Sequence, residues 1–269
     1  MGYLAIIAAR FRTLLQYRAA ALAGLFTQIF FGIVRIMILS AFYAASRSQH
    51  APMSLREVVG YIWLGQAMLL LMPWRIDEDV LRQVNDGSIV YELARPLDLQ
   101  AVWLARGVAW RTAPVLLRLV PMLVLAMVVL PIFEPAWALA PPSAAAFAAW
   151  LVCFAGAIVL SAAISALMNV TLLWSLAGSG IPMIVGALAT IFGGLTIPLV
   201  LFPAWSQPII YALPFAGLLD LPSRIFTGNL PAHDVIYVLA DQLVWSLVLI
   251  AFGRWLLARG VRKLVVQGG

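Results

Sequence analysis

The chain has a single lysine, Lys263, and it stands between Arg262 and Leu264. A phosphate-binding P-loop needs G-x-x-x-x-G-K-[ST], where the lysine neutralises phosphate charge and the hydroxyl holds magnesium. That pattern is absent, so the sequence offers no such route to hydrolysing ATP. The two histidines, His50 and His233, fall in what read as outer loops, and there is no H-E-x-x-H. His233-Asp234 reads as a solvated loop pair rather than an acid–base couple. Gly178-Ser179-Gly180 lacks the G-x-S-x-G spacing of a hydrolase elbow and reads as a glycine turn. The one cysteine, Cys153, lies in an apolar run and can form neither an internal disulfide nor a metal cluster. No catalytic residue, metal site or cofactor of its own is therefore expected.

The elements that must position the remaining polar groups are dictated by lipid. The chain has 269 residues, of which 64% are hydrophobic and 10% charged. Soluble domains carry roughly 25% charged residues, and a soluble fold of this length could not hide so much apolar surface. An all-α membrane protein with one domain over 1–269 is expected. Residues 1–18 read as an interfacial amphipathic helix, with Tyr3, Ile7, Phe11 and Leu14 near one face and Arg12, Thr13 and Gln16 near the other. Arg10, Arg12 and Arg18 break any apolar leader core, so no cleavable signal is expected. Six spans follow at about 20–45, 57–74, 113–132, 144–173, 180–202 and 235–257, each near the ~20 residues a bilayer needs.

The net charge of +6 fits the positive-inside rule better than nucleic-acid binding. With the N-terminus inside, the inner flanks hold thirteen basic residues and the outer loops three, Arg47, Arg56 and Arg224. Both termini are thus expected in the cytoplasm. Arg111 and Arg118 count among the inner flanks, where Arg118 would snorkel, and Trp150 counts in an aromatic belt.

Two charges stand inside predicted spans, Arg35 in the first and Asp241 in the sixth. Intramembrane ionisable groups are costly and call for a functional reading. At similar depth the two can pair across a bundle interface; Arg35 can equally snorkel and Asp241 be solvated at the interface. Small residues crowd the fourth span, from Ala155 to Ala166, and the fifth at Gly186, Gly193 and Gly194. They serve helix packing or a subunit contact.

Two segments break the pattern. The inner loop, about 75–112, holds six of the eleven acids, Asp77, Glu78, Asp79, Asp86, Glu92 and Asp98. It reads as a helix to Gln83, a turn at Asn85-Asp86-Gly87, and a short helix "IVYELA" ending before Arg95-Pro96. It is either a solvated hairpin or a docking surface. The outer segment, about 198–231, carries Pro198, Pro203, Pro208, Pro214, Pro222 and Pro231 amid apolar filler. It is too broken to span and too apolar for a loop in water, so short helices dipping into the outer leaflet are expected.

The stretches "DGSIVYELARPLD" (86–98), "GGLTIPLVLFPAW" (193–205) and "LPFAGLLDLPSRIFTG" (213–228), in that order and within this topology, resemble a known family. The chain is similar to the membrane subunit of bacterial ABC transporters of the ABC-2 (type V exporter-like) class. The resemblance covers nearly the whole length. It implies an exporter permease in the bacterial cytoplasmic membrane. The loop with Asp77, Glu78, Asp86, Gly87, Glu92, Arg95 and Pro96 would couple to a separate ATPase subunit, which would hold ATP and magnesium. Gly194, Pro198, Pro203, Pro214 and Arg224 would form an outer gate. A second permease, identical or related, would complete the transporter among membrane lipid. The uncharged turn between the fourth and fifth spans departs from a second ATPase contact. A secondary transporter acting alone, which would show inverted repeats, and a membrane scaffold without transport remain the competing readings.

Overall fold

The computed structural model describes residues 2–16, 18–45, 51–175 and 178–261, side chains of 18–20 excepted. Arg47, His50, Arg262 and Lys263, and the side chain of Arg18, lie outside the described residues. What is described is helical, with no strand among those residues. Helix α1 spans Gly2–Leu14, α2 Arg18–Ala45 and α3 Leu55–Ala67. Two short helices follow, α4 Glu78–Asn85 and α5 Ile89–Leu93. Then come α6 Leu99–Val124, α7 Leu130–Phe133, α8 Ala144–Ser175 and α9 Gly180–Phe192. Short helices α10 Gln207–Tyr211 and α11 Asp220–Thr227 precede α12 Val235–Val261.

Four segments are long and apolar enough to cross a membrane: Ala21–Ala45, Leu99–Phe133, Ala144–Ser175 and Ala232–Val261. The second and fifth predicted spans hold shorter helices. Each of α3 and α9 has 13 residues, about 20 Å of rise, against a hydrocarbon layer near 30 Å. The α3 axis stops at Met68 and continues as a tighter turn over Leu69–Leu71 before Pro73. At α9, Gly193 and the left-handed Gly194 (φ +81°) end the helix well before residue 202.

The polar loop is also shorter than the sequence suggested. Residues 99–112 are the first half of α6, begun by Asp98, whose Oδ1 accepts the Ala101 N–H at 2.7 Å. That N-cap outweighs the polarity of Arg106 and Arg111. Along the same rod, a π-helical turn at Leu125–Val129 falls between Pro121 and Pro131. The Ala126 carbonyl there accepts from Leu139 N at 2.9 Å.

Helix α8 is the centre of the bundle, packed by α6, α11 and α12. Lipid tails are as apolar as leucine, so close packing rather than water avoidance joins these helices. The small residues of α8 supply it: Gly156, Ala157, Ala162, Ala163 and Ala166 are buried. A Cβ on Gly156 would stand 2.0 Å from Gln242 Oε1 of α12. Gln242 is fully buried and donates to the carbonyls of Cys153 and Gly217, at 2.9 and 2.8 Å.

Two inferences about span ends are corrected. Trp150 is 1% exposed and stacks on Phe154 and edge-on to Phe226, so it belongs to the core and not to an interfacial belt. Arg111 is buried between α6 and α8, donating to Ser161 Oγ and Ser165 Oγ, while Ser161 donates to the Leu71 carbonyl. Those hydroxyls solvate a cation that sequence position placed in the inner flank. Arg118 lies against α2, its guanidinium where a Cβ on Gly24 would come within 2.2 Å.

Candidate functional site

Polar side chains gather at two ends of the bundle, one around α4 and the other around the proline-rich segment. At the α4 end, Asp77 caps the helix: its Oδ1 accepts the Asp79 N–H at 3.0 Å. Its own N–H donates to Asn169 Oδ1 of α8 at 3.1 Å. Val80 and Val84 turn one face of α4 into the core. The opposite face presents carboxylates to three arginines. Arg106 of α6 meets Asp77 Oδ2 at 3.0 Å and Asp79 Oδ2 at 2.9 Å. Arg10 of α1 reaches Asp79 Oδ2 at 2.6 Å, and Arg82 closes the cluster on Asp79 Oδ1. The Arg10 hydrogen bond, reinforced by the charges of Arg106 and Arg82, holds the Asp79 carboxyl below its ordinary range. One carboxylate thus ties together the interfacial helix, the loop helix and a spanning rod. Tyr3 Oη, accepting from Asp98 N at 3.1 Å, adds a second tie from α1.

The expected turn follows. Asp86 Oδ1 accepts the Ser88 N–H at 2.9 Å, and the hydrogen bonds from Ser88 lower the Asp86 carboxyl from its usual value. Gly87 has φ +76°, a left-handed conformation that glycine adopts without strain. Helix α5 then presents Tyr91 outward, 76% exposed. Glu92 and Arg95 pair at 3.2 Å, with Arg95 and Pro96 exposed. Glu78 is exposed on the first turn of α4. The glycine turn between α8 and α9 joins the same surface: a Cβ on Gly178 would meet Leu81 at 2.6 Å. Asp77, Glu78, Asp86, Gly87, Glu92, Arg95 and Pro96 therefore do lie on one contiguous hairpin. The sequence reading missed Asp79 as its hub, and missed Arg10 and Arg106 as the partners. Only the unusual density of acids in 77–79 hinted at it.

At the proline-rich end, α3, the turn at Leu199–Leu201, α10 and α11 converge on Asp220, which is 0% exposed. Its Oδ1 accepts from Leu199 N at 2.8 Å and lies 2.8 Å from Tyr61 Oη of α3. The same Tyr61 hydroxyl is 2.8 Å from the Gly194 carbonyl. Tyr211 Oη donates to Asp220 Oδ2 at 3.4 Å, and Arg224 Nη1 stands 2.8 Å from Tyr211 Oη and 3.7 Å from Asp220. Arg224 Nε donates to Asn229 Oδ1 at 2.7 Å, and Asn229 reaches back to the Pro52 carbonyl at 3.0 Å. Pro198 opens the turn at Leu199–Leu201, the Pro203 carbonyl accepts from Ser206, and Pro214 separates α10 from the turn at Ala216–Leu218. Any replacement of Gly194 is strained on two counts: its φ is +81°, and a Cβ would fall 2.1 Å from Tyr61 Oη. Of these residues the sequence singled out Gly194, Arg224 and the prolines. Asp220, Tyr61 and Tyr211 escaped notice, because a lone acid in "GLLDLP" carries no pattern.

Arg35 and Asp241 are not brought together. Arg35 Nη1 donates to the Leu195 carbonyl at 2.6 Å. Asp241 lies beside Gly217, where its Oδ2 is buried without a hydrogen-bond partner. Arg35 packs beside the Gly194 turn and Asp241 beside the turn at Ala216–Leu218.

Comparison with curated proteins and with solved structures found no significant match. A family model described as "ABC-2 family transporter protein" matches residues 29–268, which takes in both polar ends except for α1, and the chain belongs to the ABC-2 transporter family of membrane proteins.

Proposed function

We propose that this chain is the permease subunit of an ATP-driven exporter in a bacterial cytoplasmic membrane, driven by a separate ATPase that holds ATP and magnesium. The observation that carries the reading is the ionic hub at Asp79. A partner pressing on the exposed face of α4–α5 moves a hairpin that is tied by Arg106 to α6 and by Arg10 to α1. Helix α6 runs on to the far side, so a push at one end is delivered along a rod rather than lost in a loop. Such coupling needs a contiguous element with two arrangements, and the hub is the joint on which they would turn. Tyr91, Arg95 and Glu92 present the docking face.

In this reading α3 with its 69–71 turn, and α9 with the chain after Gly194, complete six passes with both termini on the ATPase side. The turns between Pro198 and Pro231 re-enter the outer leaflet and close the path there, held by Asp220. Irregular backbone at that depth is tolerated when protein shields it, as Tyr61, Tyr211 and Arg224 do. A second permease, identical or related, completes the transporter within a single membrane domain of each chain.

Purification of the tagged chain from native membranes in mild detergent, with mass spectrometry of what accompanies it, tests this directly. A stoichiometric P-loop ATPase is the expected companion, with or without a second permease. Recovery of the chain alone under several gentle conditions would favour a secondary transporter or a scaffold. With the ATPase in hand, replacing Glu92 and Arg95 by Ala should lower stimulated ATP hydrolysis while leaving membrane insertion intact.

A further inference from the structure

Helix α9 packs on the bundle by one narrow face. Its buried residues are Pro182, Gly186 and Ala189, at i, i+4 and i+7, while Met183, Ile184 and Leu188 are exposed. Small side chains make shallow ridges that interdigitate little, so this seam resists sliding weakly. The rest of the molecule meets α9 at three levels. Before its start, a Cβ on Gly178 would come within 2.6 Å of Leu81 in α4 and 3.3 Å of Ile76. Midway, a Cβ on Gly186 would stand 2.9 Å from Trp74 Cδ1 and 3.5 Å from Trp74 Cα. Past its far end, Tyr61 and Arg35 hold the carbonyls of Gly194 and Leu195. The helix thus touches the α4 hairpin at one end and leads into the break at Gly194 at the other.

Trp74 supplies a directional hold on this smooth seam. Its Nε1–H donates to Thr190 Oγ1 at 3.0 Å, and the Thr190 hydroxyl donates onward to the Gly186 carbonyl at 2.7 Å. The protons are all accounted for. An indole can only donate, and the hydroxyl spends its own proton on the carbonyl and keeps a lone pair for the indole. A tryptophan of an interfacial belt keeps its N–H toward water or headgroups. Trp74, 37% exposed, turns it onto a neighbouring helix instead. It also stands three residues before Asp77, which caps α4 and pairs with Arg106. Three residues of chain reach at most about 11 Å, so a displacement at Asp77 arrives at the indole with little slack. Thr190 in turn lies four residues before Gly194.

We infer that Trp74 is a positioning residue that latches α9 to the docking hairpin, so that movement of the hairpin is carried along α9 to the break at Gly194. The purpose of such a latch rests on the permease reading, whereas the linkage itself is a property of the chain without an ATPase. Recovery of the chain with no ATPase would leave the latch standing, and a failed latch would leave the ATPase partner standing.

The test disturbs the near end and reads the far one. The purified full chain carries a nitroxide at Ile197→Cys, an exposed position three residues beyond Gly194, while the native Cys153 is buried. Asp79→Asn loosens the hairpin by weakening its pairs with Arg10, Arg82 and Arg106. It should change the ratio of mobile to immobile nitroxide signal by about twofold or more. Trp74→Phe keeps a ring against Gly186 but deletes the N–H, and should abolish that response. Thr190→Val deletes the acceptor in a side chain of similar shape and should do the same, with Thr190→Ser restoring the response. Should Trp74→Phe fail to fold, Thr190→Val decides. A nitroxide signal indifferent to Asp79→Asn in the otherwise native chain would overturn the inference. So would a full response in either Trp74→Phe or Thr190→Val, which would route the movement past the latch.

Discussion

At the α4 end, Asp77 and Asp79 face Arg10, Arg82 and Arg106 across side chains that water still reaches. At the proline-rich end, Asp220 is fully enclosed and answers to two tyrosine hydroxyls, a backbone N–H and a more distant arginine. Both clusters hold irregular backbone in place, yet they are built for different duties. A partly exposed ionic hub is weaker bond by bond than an enclosed one and is partly screened by salt, so it can be remade as elements shift. An enclosed carboxylate is expensive to strand once its partners are formed, so it fixes one arrangement. The first has the character of a joint and the second of a rivet.

The comparison is broken most forcefully at Asp220. Asp220→Ala strips Leu199 N, Tyr61 and Tyr211 of one acceptor group and leaves Arg224 without its carboxylate. A loss of about 3–5 kcal/mol is expected, as for removing one partner of a buried charged network. It should appear as a large fall in the thermal midpoint in detergent or as failure to accumulate. Asp220→Asn keeps an acceptor toward Leu199 and should cost clearly less. If Ala and Asn are both tolerated like surface changes, the rivet does not exist.

Next comes Gly194→Ala, which places a Cβ at left-handed φ and within 2.1 Å of Tyr61 Oη. The backbone alone costs about 1–2 kcal/mol, and the clash adds to it. A sharper form pairs the change with Tyr61→Phe, which deletes the clashing hydroxyl. The double variant should be more stable than the sum of the two single losses predicts, because the two sites share one contact. Plain additivity would mean that Tyr61 swings aside without penalty.

How far each cluster was legible follows from the same contrast. The hub announced itself as polar sequence: acids packed at 77–79 and 86–98 in a chain otherwise starved of charge, and the loop with its Gly87 turn is there. Its wiring was not legible, because Arg10 and Arg106 lie 69 and 27 residues from Asp79 and nothing in spacing joins them. The prolines told where helices must stop after Gly194, and the short helices follow. Yet Asp220 read as one residue among leucines, since a rivet needs only a single carboxylate where several broken ends meet. Two helix limits differ from the expected span limits for a related reason. Hydropathy registers burial in lipid, whereas α6 begins at a cap, Asp98, and α9 ends at a backbone conformation, Gly194.

On the side of the joint, Arg106→Gln should have the larger effect. It removes the partner shared by Asp77 and Asp79 and is itself little exposed, so about 1–2 kcal/mol is expected. If the hub transmits motion, stimulated ATP hydrolysis in the complex should fall further than stability does. Loss of stability with full stimulated activity would make the hub a rivet too.

The smallest effect is the most diagnostic of a joint. Asp79 has its carboxyl depressed chiefly by Arg10, with Arg106 and Arg82 assisting. A depressed carboxyl contributes stability that is fully present above its unfolded-state value, which is near 3.8, and is lost as pH falls through the lower folded-state value. Between pH 7 and 5 the contribution should therefore be flat, and the decline should be confined to the acid side of about pH 4. About a third of the Asp79 and Arg10 side chains remains exposed, so solvent screening limits the whole term to under about 1 kcal/mol. Arg10→Gln removes the leading cause of the depression and should shrink the acid-side loss. Raising salt from 0.05 to about 0.5 M should shrink it in the wild type as well. Asp220, sealed from ions, offers the internal control, for the Asp220→Ala deficit at neutral pH should barely move over the same salt range. An acid-side loss that ignored both salt and Arg10 would assign the titration elsewhere and deprive the hub of its weak, remakeable character.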